Sequence, residues 1–170
     1  MRYFFPLAAL GLLAACATLD EDQCRAGNWF EIGVRDGAKG RSPDFIYKHA
    51  KACNAFGIAP IAAPWREGRD VGLMQYCTPR NAYRIGQRGQ RLNRVCPGDT
   101  SRLEAANDRG LRYHDVRRRI RDVEREISDI NSALASLEVD DPRRTSLISQ
   151  RSFLRLDILG LRAELARHRF

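Results

Sequence analysis

Beyond its first fifteen residues the 170-residue chain has no apolar run long enough to cross a membrane as a helix. Histidine is scarce: His49, His114 and His168 lie far apart in sequence. No C-x-x-C occurs, and only His49 stands near a cysteine, four residues before Cys53, which argues against a zinc site. G-x-S-x-G and H-E-x-x-H are both missing, so no hydrolase signature is present and no catalytic set is assigned. "GVRDGAKG" (33–40) is neither a P-loop nor a dinucleotide fingerprint. Asp36-Gly37 reads as a turn dipeptide, and Gly40 precedes a helix start at Ser42. No cofactor or metal is expected.

What is present begins with "MRYFFPLAALGLLAAC". Arg2, an apolar stretch and small residues before Cys16 make residues 1–15 a secretory signal. "LAAC" resembles the bacterial lipobox, which implies acylation of Cys16. Ala17, where aspartate would signal inner-membrane retention, implies the periplasmic side of the outer membrane. Buried acyl CH2 groups at about 0.8 kcal/mol each would anchor the chain there. Cys24, Cys53, Cys77 and Cys96 form an even set, as exported disulfide proteins have. Three pairings are possible. Closing the shortest loops favours Cys24–Cys53 and Cys77–Cys96.

Glycine and proline divide the chain. Residues 17–98 hold ten glycines, whereas residues 99–170 hold two, with one proline. Ser42-Pro43 and Thr78-Pro79 are helix starts, with stops at Gly57 and near Gly89. Between them "WFEIG", "WREGRDVGLMQYC" and "YRIGQRG" repeat an aromatic–glycine–glycine rhythm. It is similar to the turn–strand rhythm of MORN repeats, though too loose to assign there.

Past Asp99 or Thr100, a helix cap, residues Tyr113, Val116, Ile120, Val123, Ile127, Ile130, Leu134 and Leu137 follow a 3,4 spacing. "EVDDP" interrupts, with Asp140 or Asp141 as cap. Leu147, Leu154, Ile158, Leu161 and Leu165 resume the seam, broken by Arg151. Two readings stay open: a hairpin packed on itself, or a seam for an envelope protein or a second copy. Phe153, Leu156 and Leu159 widen the apolar face beyond what a two-helix seam needs. The expected fold is therefore α-rich or α+β. A lipid-anchored linker (16–23) leads to a small disulfide-tied, glycine-rich domain (24–98) of short helices with turns or short strands. A long antiparallel, coiled-coil-like helical hairpin (99–170) follows.

Cys24, Trp29, "GVRDGAKG", Cys53, "WREGRDVGLMQYC", "YRIGQRGQRLNRVCPG" and "DRGLRYH" resemble family 2799 of domains of unknown function, a group of proteobacterial lipoproteins. The resemblance covers roughly residues 20–115. It implies a location and a domain extent, with no known reaction. Trp65 departs from it, standing where tyrosine is the more frequent residue.

Charge points to a surface rather than a reaction. The formal net charge is +8. Residues 16–98 carry 13 basic and 8 acidic side chains, net +5, against 15 and 13, net +2, in residues 99–170. Arg80, Arg84, Arg88, Arg91 and Arg94 have no acidic residue between them, and the first three share a helical face. An anionic lipid, lipopolysaccharide phosphate or peptidoglycan carboxylate fits that surface; nucleic acid fits the charge but not the compartment. The expected function is a non-enzymatic structural or interaction lipoprotein of the cell envelope. The alternative is an envelope hydrolase of cell-wall or glycan material, whose candidate site residues are Asp36 or Asp70, with His49 as a further candidate.

Overall fold

Asp20 opens the first helix by a reciprocal cap. Its Oδ1 accepts from the Gln23 amide at 2.8 Å, and its own amide donates to Gln23 Oε1 at 3.1 Å. The computed structural model describes residues 18–170, so the signal segment and Cys16 lie outside the described residues. The following elements are α1 (Glu21–Ala26), α2 (Trp29–Ala38), α3 (Ile46–Cys53), α4 (Ala62–Tyr76), α5 (Pro79–Gln87), α6 (Ser101–Ser136) and α7 (Arg143–Arg167). Single 3-10 turns flank α3 at Pro43–Phe45 and Asn54–Phe56. Leu19 is already buried, so the stretch expected as a linker is part of the folded body from residue 18 onward.

Among the described residues there are no strands, which corrects the α+β alternative and the strand reading of the aromatic–glycine segments. "GVRDGAKG" is not a pair of turns either: its first six residues belong to α2. The physical reason is the spacing. Gly33 and Gly37 lie four apart on one helical face, and so do Gly68 and Gly72 of α4. The two faces meet backbone to backbone. A Cβ on Gly33 would collide with the Trp65 carbonyl and stand 2.8 Å from the Arg69 amide. One on Gly37 would collide with the Arg69 carbonyl and stand 2.8 Å from the Leu73 amide. Gly68 and Gly72 face the carbonyls of Phe30 and Val34 in the same way. Later residues of α2 meet later residues of α4, so the helices run parallel. Residues 39–61, including α3, carry the chain back between them.

The arrangement recurs once. Gly86 of α5 abuts Asn107 and Leu111 of α6, Gly110 of α6 abuts Tyr83 and Gln87, and Gly89 meets His114. This pair is parallel as well, with the loop 88–100 as its return. The recurring rhythm of the sequence is therefore a repeat of helix crossings. Leu73, Tyr76 and Ile85 join the two pairs in one apolar cluster.

The cysteine pairing is the one that closes the shortest loops. Cys24–Cys53 ties α1 to the end of α3, and Cys77–Cys96 ties the end of α4 to the return loop. Thr78 caps α5 by accepting from the Asn81 amide at 3.3 Å. Asp99 accepts from the amide and hydroxyl of Ser101 at 2.9 and 3.1 Å; these bonds hold its carboxyl below the ordinary range.

α6 is 36 residues long, about 54 Å of helix. Its first turns pack on α5, and the remainder packs antiparallel against α7. Val116, Ile120 and Leu161 form the buried seam, with Ile130, Leu134 and Ile158 also buried. Arg151, which breaks the apolar spacing, reaches across to Asn131 Oδ1 at 2.9 Å. At the bend Arg144 donates to the carbonyls of Leu134 and Leu137 at 2.7 and 3.1 Å, closing the open end of α6. Asp141 accepts from the Arg143 guanidinium and, secondarily, from its amide, which bring its carboxyl down to about 2. At the far end the Tyr83 hydroxyl donates to the His168 carbonyl at 2.9 Å, tying the last turn of α7 back to α5. Burial of the Tyr83 ring raises its phenol above the ordinary value.

Two outcomes follow. Gly37→Ala or Gly72→Ala should lower stability by about 3 kcal/mol or more, because the clash is with backbone and not with a movable side chain. Urea unfolding measures it, with the midpoint falling at unchanged slope. Reducing either disulfide should cost about 3–4 kcal/mol. Non-reducing peptide maps should show Cys24 linked to Cys53 and Cys77 to Cys96, and not Cys24 to Cys96.

Candidate functional site

Two polar assemblies stand out, one buried and one open. The buried one is centred on Asp36, in the last turns of α2. The α2–α4 crossing brings Trp65 over it, and the return segment brings His49 of α3 beside it. Asp36 Oδ2 accepts from Trp65 Nε1 at 2.9 Å and lies 2.6 Å from His49 Nε2. His49 Nδ1 lies 2.9 Å from the Thr18 hydroxyl. Asp36 and His49 are only 6% and 2% exposed, and Trp65 is fully buried. Phe45 stands edge-on to the imidazole at 5.1 Å.

A hydroxyl, an imidazole and a carboxylate in line are the parts of a nucleophilic relay. Here the Asp36 oxygen nearest the imidazole is also committed to Trp65. The clefts described below are lined by none of the three residues. The arrangement binds residue 18, α2, α3 and α4 to one another inside the core. Asp70, the other candidate carboxylate, is not part of it. Its side chain is 74% exposed and lies 3.6 Å from the guanidinium of Arg69. Thus His49 and Asp36 come together, and Asp70 stands apart. Arg69 itself is buried, and its Nε donates to the Arg41 carbonyl at 2.8 Å.

The open assembly lies where α2 and α5 end. Gly40, at φ +65, turns the chain out of α2, and the Tyr76 ring fills the space where a side chain would sit. Asn93 donates from its side chain to the Gly40 carbonyl at 3.0 Å, and from its amide to the Tyr76 hydroxyl at 2.9 Å. Buried Asn107 of α6 holds the same loop. It accepts from the Leu92 amide at 3.1 Å and donates to the carbonyls of Ala82 and Gln90 at 3.0 and 3.1 Å. The two pinned loops form a cleft lined by Lys39, Arg41, Tyr76, Ile85, Gln90, Arg91 and Asn93. Three cations and no carboxylate line it.

The five arginines of the sequence reading are all exposed, but they do not form one stripe. Arg80, Arg84 and Arg88 follow α5 and its end. Arg91 enters the cleft with Lys39 and Arg41, and it also lines the neighbouring cleft that holds Glu104 and Asp108. Arg94 lines the latter and a third, more apolar cleft beside Met74 and Pro97. Lys39 and Arg41 were missed because they stand in a glycine-rich segment read as turns; their own alternation with Gly40 was the available signal. Asn107 was missed because an asparagine inside a helix has no distinct sequence pattern. Helix dipoles supply a local reason for these cations, since the C-terminal ends of α2 and α5 both point here. Among the described residues none of Lys39, Arg41, Arg80, Arg84, Arg88, Arg91 and Arg94 has a carboxylate within ion-pairing distance.

The buried tie predicts a stability effect. Asp36→Ala leaves a buried imidazole and an indole N–H without an acceptor, and should cost about 3–5 kcal/mol. Trp65→Phe removes one donor and should cost about 1–3 kcal/mol. Urea midpoints check both. A loss for Asp36→Ala no larger than for an exposed substitution would show that the tie does not hold the core.

No curated protein and no solved structure gives a match to the chain. Residues 28–112, half of its length, match the family described as "Protein of unknown function (DUF2799)". That span runs from the cap of α2 through both glycine crossings to the first third of α6, and the chain belongs to this family.

Proposed function

We propose that this protein is a lipid-anchored, non-enzymatic interaction protein of the cell envelope, held through Cys16 on the periplasmic side of the outer membrane. Its basic surface takes up anionic groups: phosphates of lipid or lipopolysaccharide, or carboxylates of peptidoglycan. The observation that carries the binding reading is the convergence of Lys39, Arg41 and Arg91 on a cleft without a carboxylate. Arg80, Arg84 and Arg88 extend the positive surface along α5. Each cation near an anionic surface is worth about 1 kcal/mol, and exposed charges of this kind attract from a distance set by salt. The anchoring reading rests on the resemblance of "LAAC" to a lipobox. Thr18 and Leu19 already belong to the folded body, so a lipid on Cys16 would hold the domain within a few residues of the bilayer.

The hydrolase reading keeps one observation in its favour, the Thr18–His49–Asp36 chain. The interaction reading is preferred because those groups are mutually bonded within the core, whereas the cations face solvent.

Replacing Lys39, Arg41 and Arg91 by Gln, or Arg80, Arg84 and Arg88 by Gln, should each weaken binding to phosphatidylglycerol vesicles or sacculi. A loss of about 3 kcal/mol is about a hundredfold. Wild-type binding should fall steeply with added salt. Affinity that ignores both the substitutions and the salt would end the anionic-surface reading. Palmitate labelling that persists in Cys16→Ala would end the anchoring reading.

A further inference from the structure

Seven glycines lie within the described helices, and six of them mark a place where another helix backbone touches. Gly160, in the interior of α7, is different: among the described residues nothing lies within 4 Å of where its Cβ would be. A mid-helix glycine costs about 1 kcal/mol relative to alanine, and no packing contact among the described residues explains this one.

Its surroundings are also unlike an ordinary outer face. At 3.6 residues per turn, Ser152, Phe153, Leu156, Leu159, Gly160 and Ala163 share the side of α7 turned away from α6. Phe153, Leu156 and Leu159 are 72%, 64% and 61% exposed. The corresponding outer face of α6 carries Arg118, Asp122, Arg125 and Asp129, as a solvated helix face does. The seam with α6 uses the opposite side of α7, so this apolar side is a second face and not spare width of the first.

The edges of the face carry opposite charge. Arg155 and Arg162 line one edge, Asp157 and Glu164 the other. Arg162 and Glu164 lean back toward Glu124 and Arg119 of α6, both at 3.5 Å. Among the described residues Arg155 and Asp157 have no ion-pair partner. A face with one basic and one acidic edge is complementary to itself. A twofold axis along the helix sets the basic edge of each copy against the acidic edge of the other on both sides. An antiparallel pairing would set like charges together. An anionic membrane would attract one edge and repel the other.

We propose that the outer face of α7 is a homodimer interface, on which a second copy lays its own α7 parallel and in register, with Gly160 at the close approach. Both chains then leave the interface in the same direction, as two anchors in one membrane require; this last point rests on the anchoring reading, and the interface itself does not.

The test uses the full-length chain purified in detergent. Light scattering should give the mass of two chains. Leu156→Cys and Ala163→Cys, at the centre of the face, should each form a covalent homodimer on mild oxidation, and Arg118→Cys on α6 should not. Asp157→Arg, at an exposed position, should weaken the dimer about tenfold, because two symmetry-related pairs become repulsive. Adding Arg155→Asp to that variant should restore it. A wild-type mass of one chain overturns the proposal. So does a dimer indifferent to Asp157→Arg, or a face that binds neutral phosphatidylcholine vesicles in place of a second copy. Loss of palmitate labelling would remove the anchor and leave these measurements unchanged.

Discussion

Backbone against backbone is the contact on which the rest of this structure depends. Where α2 crosses α4, four glycines replace the layer of side chains that ordinarily separates two helices. The carbonyls of one helix then touch the α-carbons of the other. That proximity sets the distance from Asp36 on α2 to Trp65 on α4, and so makes the buried tie possible. A crossing of ordinary width would leave the carboxylate without that donor. The same device between α5 and α6 brings Asn107 under the return loop, where it accepts one amide and donates to two carbonyls.

The disulfides act on a different part of the problem. Parallel neighbours need a return segment, and a return segment in a small protein has little core of its own. Cys24–Cys53 fastens the first return beside its end, and Cys77–Cys96 fastens the second. With both returns held, the loops at the ends of α2 and α5 have fixed courses. Lys39, Arg41 and Arg91 are then presented from a rigid frame. A preorganised set of cations loses less conformational entropy on meeting an anion than the same residues on a free loop would.

The helical hairpin follows simpler rules. One side of α7 is used by α6, and the side chains on the facing seam are those whose spacing the sequence displays. Its other side is apolar, contains a glycine without a neighbour, and is bordered by charges of both signs. Within a family of unknown function, that face and the basic cleft are the two surfaces whose chemistry exceeds what the fold consumes.

At Ser42-Pro43 the chain makes a 3-10 turn without a side-chain cap bond before α3 opens at Ile46. Local rules were enough for the helix start at Thr78-Pro79, the long seam from Tyr113 to Leu137, the cysteine pairing and the family. Each of these is a short-range pattern, because caps, heptads and loop closure depend on residues close in sequence. The glycine segments could not be settled in that way. A glycine four residues from another satisfies a turn, a strand or a close helix crossing equally well, and only the partner helix distinguishes them. The same holds for Asp36, whose adjacent glycine suggested a turn, while its acceptor role depends on His49 and Trp65, 13 and 29 residues away. Lys39 and Arg41 became part of a cleft only when the chain returned fifty residues later with Arg91. Sequence by itself therefore determined the helix start at Thr78, the two helices of the hairpin and the covalent ties. Tertiary structure decided which charges are buried, which converge and which helix face is left bare, because those depend on distances between segments that no local pattern encodes.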